Sequence, residues 1–236
     1  MTFYLIGLGL NLKSISEEAR EIAKRCRKVY IESYTVELPY DVEELEEFLG
    51  IRIINLTRTM VEMESFVSEA KDKDIALLVY GSPLTATTHI SLILKCKKEN
   101  IEYRIFENAS IFDAISETGL QIYKFGKTAS MPKWEKNYKP ESFLDVIKDN
   151  LKIKAHTLIL VDIGLNYGDA LKQLKETCEN KLKIEKIVVC SQLGTENSEI
   201  FYDNLHELAG KEVLAPFCFI ILSKMHFLEQ EALERL

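Results

Sequence analysis

The stretch that decides the fold is IALLVYGSPLTATTH, Ile75–His89. An unbroken apolar run from Ile75 to Val79 ends in a Gly81-Ser82-Pro83 turn, followed by Thr85, Thr87, Thr88 and His89. An apolar run bounded in this way reads as a strand buried on both faces, as parallel sheets require. Gly81 reaches backbone angles that other residues avoid, and Pro83 fixes its own φ and lacks an N–H. Such a strand carries small hydroxyls and free backbone N–H groups to the carboxyl edge of a sheet, where open α/β sheets bind ligands. Taken alone, the stretch has a simpler reading, a strand-to-helix loop with Thr87 or Thr88 as the helix N-cap.

The flanking sequence extends the pattern. Thr2–Leu8 (TFYLIGL) reads as a first strand closed by Gly7 and Gly9. Leu12 stands where a dinucleotide fingerprint needs its third Gly or Ala, so GLGL signals only close backbone approach. Ser14 and Glu17 form a capping box ahead of a helix whose face is Ala19, Ile22, Ala23 and Cys26. Val29–Ile31 is a second strand, running into the polar turn Glu32-Ser33-Tyr34-Thr35. Asp41 caps a helix with Leu45, Phe48 and Leu49 inward and Gly50 as its stop. Ile51–Leu56 is the third strand. The spacing predicts one helix over Thr59–Ala70, with Met63, Phe66, Val67 and Ala70 inward. Ile90–Lys98 is a helix with Ile90, Ile93 and Leu94 inward, and Tyr103–Phe106 is a fifth strand ending in ENASI, Glu107–Ile111. Alternating strands and helices predict a doubly wound, mostly parallel sheet, with GLGL, GSPLTATT and ENASI on one rim.

After Leu120 the pattern changes. Gln121–Lys127 (QIYKFGK) alternates like a strand, and Met131–Pro140 is a polar loop carrying Trp134. Ser142–Asn150 and Ala170–Glu179 read as helices, Thr157–Asp162, Lys186–Cys190 and Phe217–Leu222 as strands, and His226–Leu236 as a terminal helix. The expectation is an N-terminal α/β domain over 1–112 and a C-terminal mixed α/β domain over 113–236.

Composition narrows the function. With 236 residues, 47% hydrophobic and 28% charged, the chain has the make-up of a soluble globular protein. A net charge of −7 argues against a nucleic-acid footprint. The five cysteines are scattered and lack CxxC spacing, which excludes a disulfide framework and points to a reducing compartment. The sequence predicts no signal peptide, no membrane span and a cytoplasmic location. His89, His156, His206 and His226 lack metal-ligand spacing, and neither GxSxG nor GxxxxGK[ST] occurs. What remains is a rim of glycines, hydroxyls and apolar side chains, suited to holding two molecules in register for a group transfer.

The motifs that carry a family resemblance run along nearly the whole chain. They are YLIGLGL (Tyr4–Leu10), GSPLTATTH (Gly81–His89), ENASI, GLQIYKFGKTAS (Gly119–Ser130), KPESF (Lys139–Phe143), HTLILVDI (His156–Ile163) and SKMH (Ser223–His226). In this order and spacing they resemble the diphthine synthase family of tetrapyrrole-methylase-like methyltransferases. The resemblance implies a two-domain homodimer with S-adenosylmethionine in the cleft between domains. It implies methyl transfer to the amino nitrogen of a modified histidine on translation elongation factor two, with ENASI and KPESF closer to the eukaryotic pattern. Cofactor contacts would be Leu10, Ser82, Thr85, Ser110 and Ile111 from the first domain, and Val161, Leu193 and Phe217 from the second. It names no catalytic base; His89 and His226 are the rim candidates.

The chain departs from the family where Gly-Asp-Pro becomes Gly81-Ser82-Pro83, where the GxLH-like ending becomes SKMH, and in a short segment between Ile163 and Lys186. If Ser82 occupies the family's contact, Ser82→Asp is expected to tighten cofactor binding. Two other readings stand beside this one: a methyltransferase of the same class acting on a tetrapyrrole or ribosomal RNA, and a degenerate, non-catalytic cofactor- or partner-binding protein.

Overall fold

The computed structural model describes residues 1–236, which divide into two compact units, Met1–Ile111 and Phe112–Leu236. In the first, β1 (Thr2–Gly7), α1 (Glu17–Arg25), β2 (Lys28–Glu32), α2 (Val42–Leu49), β3 (Ile53–Leu56), α3 (Arg58–Met63), β4 (Ile75–Val79), α4 (Ile90–Lys98) and β5 (Glu102–Phe106) follow in order. The five strands form one parallel sheet, ordered β3-β2-β4-β1-β5. Every residue of β4 is buried, as its unbroken apolar run requires.

Alternation sorts the sheet's side chains onto two faces. Phe3, Leu5, Ile75, Leu77 and Val79 pack with Leu92, Ile93 and Cys96 of α4. Ile6, Val29, Ile31, Ala76 and Leu78 pack with Ala19 and Ala23 of α1 and Leu45 and Leu49 of α2. β1 and β4 are therefore neighbours whose following helices leave to opposite faces. That is a topological switch point, the place where open α/β sheets leave a crevice for ligands.

Local details differ from expectation for physical reasons. The cap of α1 is Ser16, whose hydroxyl accepts from Ala19 N–H at 3.3 Å, while Ser14 stays outside the helix. The helix expected over 59–70 is broken at Glu64, which adopts φ 56°, and a 3₁₀ segment, Ser65–Lys71, continues the chain. The break buries Phe66, Val67 and Ala70 but leaves Met63 67% exposed. On α4 the inward stripe is Leu92, Ile93 and Cys96, so Ile90 and Leu94 face outward. Neither Thr87 nor Thr88 caps α4; His89 holds the N-cap position, and the Thr87 hydroxyl donates to the Pro83 carbonyl at 2.8 Å.

The second unit contains α5 (Ile111–Ala114, which begins at the boundary), β6 (Ala129–Met131), α6 (Ser142–Lys152), β7 (Thr157–Val161), α7 (Tyr167–Cys178), β8 (Ile187–Ser191), β9 (Glu199–Asp203), α8 (Leu205–Leu208), β10 (Phe217–Ile221) and α9 (Phe227–Glu234). Its sheet is mixed, ordered β6-β7-β10-β8-β9, with β6 and β7 parallel and the other pairs antiparallel. Phe143, Ile147, Ile159, Leu174, Val189 and Phe219 lie in its core. Strand β9 was not expected; its residues alternate only partly and none is fully buried.

Gln121–Lys127 is not a strand. It turns through a 3₁₀ segment at Ile122–Lys124, and the strand of this region is β6. The segment is pulled out of register by Glu229 of α9, which is fully buried. Glu229 accepts from Gln121 N–H at 2.9 Å, from His226 N–H at 2.6 Å and from the Lys124 ammonium. His156, also fully buried, accepts from Ser223 N–H through Nδ1 at 3.0 Å and places Nε2 3.4 Å from the Glu229 carboxylate. Burial works against the charge on Glu229, but the converging N–H donors outweigh it and hold its pKa down to about 2. Burial lowers the pKa of His156 from its ordinary 6.5.

Both shifts have the same sign in stability. Each group binds its proton more readily in the unfolded chain, so stability falls with pH, first below about 6.5 through His156 and then from 4.5 toward 2 through Glu229. Glu229→Gln is expected to cost about 1–3 kcal/mol at neutral pH. Its melting temperature should approach that of the wild type as pH falls from 4.5 toward 2. Thermal denaturation of both proteins across pH reads this directly.

Candidate functional site

The crevice of the first unit is built from three strand ends. Leu8 N–H donates to the Val79 carbonyl at 2.8 Å, extending the β1–β4 pairing past the strands. Gly9 and Gly81 then exchange reciprocal N–H···O bonds of 3.1 and 2.9 Å. Both glycines have φ of 72°, the left-handed region that a side chain would strain. A Cβ on Gly9 would lie 2.4 Å from that of Ser14, whereas a Cβ on Gly81 would enter space bounded by the Ala109 carbonyl and Ser110 Cα at 3.8 Å. The Tyr80 hydroxyl donates to the Leu10 carbonyl at 2.9 Å. From the end of β5, Asn108 donates to the Gly7 and Ser14 carbonyls at 3.1 and 2.9 Å, binding the third loop to the first.

The sequence-predicted residues of this unit are brought together at this edge. Leu10, Ser82 and Ser110 are nearly buried, at 7%, 7% and 6% exposure, and Thr85 and Ile111 are half-buried beside them. In the second unit, Val161 ends β7, Leu193 follows β8 and Phe217 opens the antiparallel β10, so all three share one sheet edge. Gln192 ties that edge together, donating from its backbone to the Pro216 carbonyl at 2.8 Å and from its side chain to the Ala215 carbonyl at 2.6 Å. Phe217 stacks edge-on against Tyr167 at 5.7 Å between centroids.

The candidate bases are engaged elsewhere. His89 is 1% exposed and its Nδ1 meets the Pro83 carbonyl at 3.1 Å, so it braces the loop behind the crevice. His226 caps α9, accepting from Leu228 N–H at 3.3 Å through Nδ1. Glu32, at the end of β2, is 1% exposed and folds onto its own turn, accepting from Tyr34 and Thr35 N–H and from the Thr35 hydroxyl at 2.6 Å.

Sequence reasoning missed Glu107. Its Oε2 accepts from the Ser82 hydroxyl at 2.7 Å, so a carboxylate stands at the crevice although position 82 lacks one. The hint lay in ENASI, where an acidic residue opens a loop otherwise short of charge. No group of three or more His, Cys, Asp or Glu is placed to hold a metal ion.

Comparison with known proteins places this architecture. A profile of Tetrapyrrole (Corrin/Porphyrin) Methylases matches residues 2–209. The chain is 40% identical over 249 residues to a diphthine synthase of Methanococcus aeolicus, covering 98% of this chain and 96% of the relative. This chain belongs to the diphthine synthase family. It is also 36% identical over 262 residues to a diphthine methyl ester synthase of Schizosaccharomyces pombe, covering 98% and 93% of the two chains. A crystal structure of a diphthine synthase superimposes with a TM-score of 0.91 at 33% identity, covering all of this chain and 95% of the other. Family membership makes the protein a methyltransferase, and the methylase family implies a methyl donor.

Two outcomes follow from the geometry. Asn108→Ala removes the bonds joining the first and third loops and should cost about 1–3 kcal/mol, read by denaturant unfolding. Ser82→Asp would set a second carboxylate against Glu107, reversing the expectation drawn from the family motif. It should weaken donor binding, read by calorimetry.

Proposed function

We propose that this protein transfers methyl groups from S-adenosylmethionine to the amino nitrogen of the modified histidine of translation elongation factor two, acting in the cytoplasm as a homodimer. The observation that carries the reading is similarity at 40% identity over 98% of the chain to a diphthine synthase. The proposed donor contacts are Leu10, Ser82, Thr85, Ser110 and Ile111 in the first unit and Val161, Leu193 and Phe217 in the second.

The residues present fit such a donor. The backbone of Gly81, where an added Cβ would meet only ordinary contacts at 3.8 Å, and the backbone groups of the Gly9 and Gly81 loops suit a nucleoside held by backbone and van der Waals contact. When bound, S-adenosylmethionine supplies a methyl group activated by a positively charged sulfur. This chain's contribution would be positioning: the fixed loops would hold the donor beside the acceptor amine, which must be neutral to react. With His89 and His226 occupied structurally, the reading rests on alignment rather than on a side-chain base.

The homodimer draws support from Ile90 and Leu94, one turn apart on α4 and 52% and 59% exposed. Leu94→Glu is expected to shift the sedimentation of the protein to that of a monomer if this face is the dimer contact. No helix is long and apolar enough to cross a membrane.

Incubation with S-adenosylmethionine and elongation factor carrying the unmethylated precursor should raise the factor's mass in methyl-sized steps. Mild alkali then removes one methyl from a methyl ester and none from a trimethylated nitrogen. Donor binding without any mass gain would overturn the enzymatic reading.

A further inference from the structure

The crevice of the first unit contains a carboxylate that the family contacts do not account for. Of the acids at the ends of its strands, Glu32 is consumed by the N–H groups and hydroxyl of its own turn. Glu107 is different. Its side chain is exposed, and the hydroxyl that binds it belongs to Ser82, which is itself 7% exposed and sits on the loop after β4, across β1 from β5 in the sheet. Two surface carboxylates elsewhere in this unit are neutralised, Glu69 by Lys28 and Lys73 and Glu99 by Lys71 and Lys95. No lysine, arginine or histidine forms an ion pair with Glu107.

An oriented carboxylate without a counter-ion, at the ligand edge of a switch point, suits a cationic group. A carboxylate offers about four lone-pair positions, and Ser82 takes one of them on Oε2. Its strongest partners are charged N–H donors, because the hydrogen bond then adds to the charge attraction. A sulfonium has charge but no N–H to donate. We infer that Glu107 binds the α-ammonium group of the methyl donor, with Ser82 holding the carboxylate in place. This inference rests on the donor reading of the preceding subsection and assigns a donor-binding role to a residue outside the contacts proposed there.

The test compares three ligands by calorimetry on the full chain: S-adenosylmethionine, S-adenosylhomocysteine and 5′-methylthioadenosine. The second lacks the sulfonium, and the third lacks both the sulfonium and the amino-acid end. Glu107→Gln should weaken binding of the first two by a similar factor, about tenfold or more, and leave the third unchanged. Because Ser82 Oγ lies 2.7 Å from Glu107 Oε2, a carboxylate at position 82 would stand close to the same place. Adding Ser82→Asp to Glu107→Gln should therefore recover much of the lost affinity.

Unchanged binding of all three ligands by Glu107→Gln would overturn the assignment. So would an equal loss for all three, which would mark Glu107 as a loop support, or a loss confined to S-adenosylmethionine, which would mark it as a sulfonium contact. Failure of the wild-type chain to bind any of the three would instead overturn the donor reading, and the inference with it.

Discussion

The pair of hydrogen bonds between Gly9 and Gly81 is the constraint on which the candidate site depends. β1 and β4 are adjacent, but the chain leaves them toward opposite faces of the sheet, and without a cross-link their loops would diverge immediately. The reciprocal bonds carry strand-like pairing past both strand ends, at a place where only glycine takes the required φ without strain. Leu10 and Ser82 are thereby held side by side. Asn108 then fastens the β5 loop to the same framework through two carbonyls. The site is rigid because backbone binds backbone, and side chains only finish it.

This arrangement suits a transferase that works by alignment. Nothing in the rim resembles a nucleophile with its base, and of the two candidate histidines His89 braces a loop and His226 caps a helix. Under the proposed function, a positively charged donor needs little activation from the protein, since its leaving group is built in. What it needs is a fixed orientation and a shape that admits the acceptor nitrogen from one side. Residues with few charges can provide both, provided that the donor's own charges are answered locally.

Much of the first unit could be read from the sequence because its signals are local. The apolar run of β4, the glycines after β1 and the Asp41–Gly50 helix each carry their own punctuation. The errors arose where a distant partner overrode the local pattern. Gln121–Lys127 alternates like a strand, but Glu229, more than a hundred residues away, takes its backbone N–H and its lysine. The stripe of α4 was misread because Ile90 and Leu94 have the spacing of a core face although the sheet lies against Leu92, Ile93 and Cys96. At the site, positions on the rim could be located from strand ends alone. That Ser82 faces Glu107 could not, because that pairing depends on how the loops after β4 and β5 cross the sheet edge.

Glu229 also sets an order of events during synthesis. The carboxylate that shapes the segment around Gln121 and Lys124 is made 108 residues after Gln121, and the imidazole of His156 waits for it in between. Until that part of the chain emerges, the nascent second unit holds a lysine and a histidine with no acid between them, and its early turn has no fixed form. The first unit has no such debt, since its loops are joined by residues that have all appeared by Ile111. Folding on the ribosome would therefore proceed in two steps, with the first rim assembled well before the second unit can close.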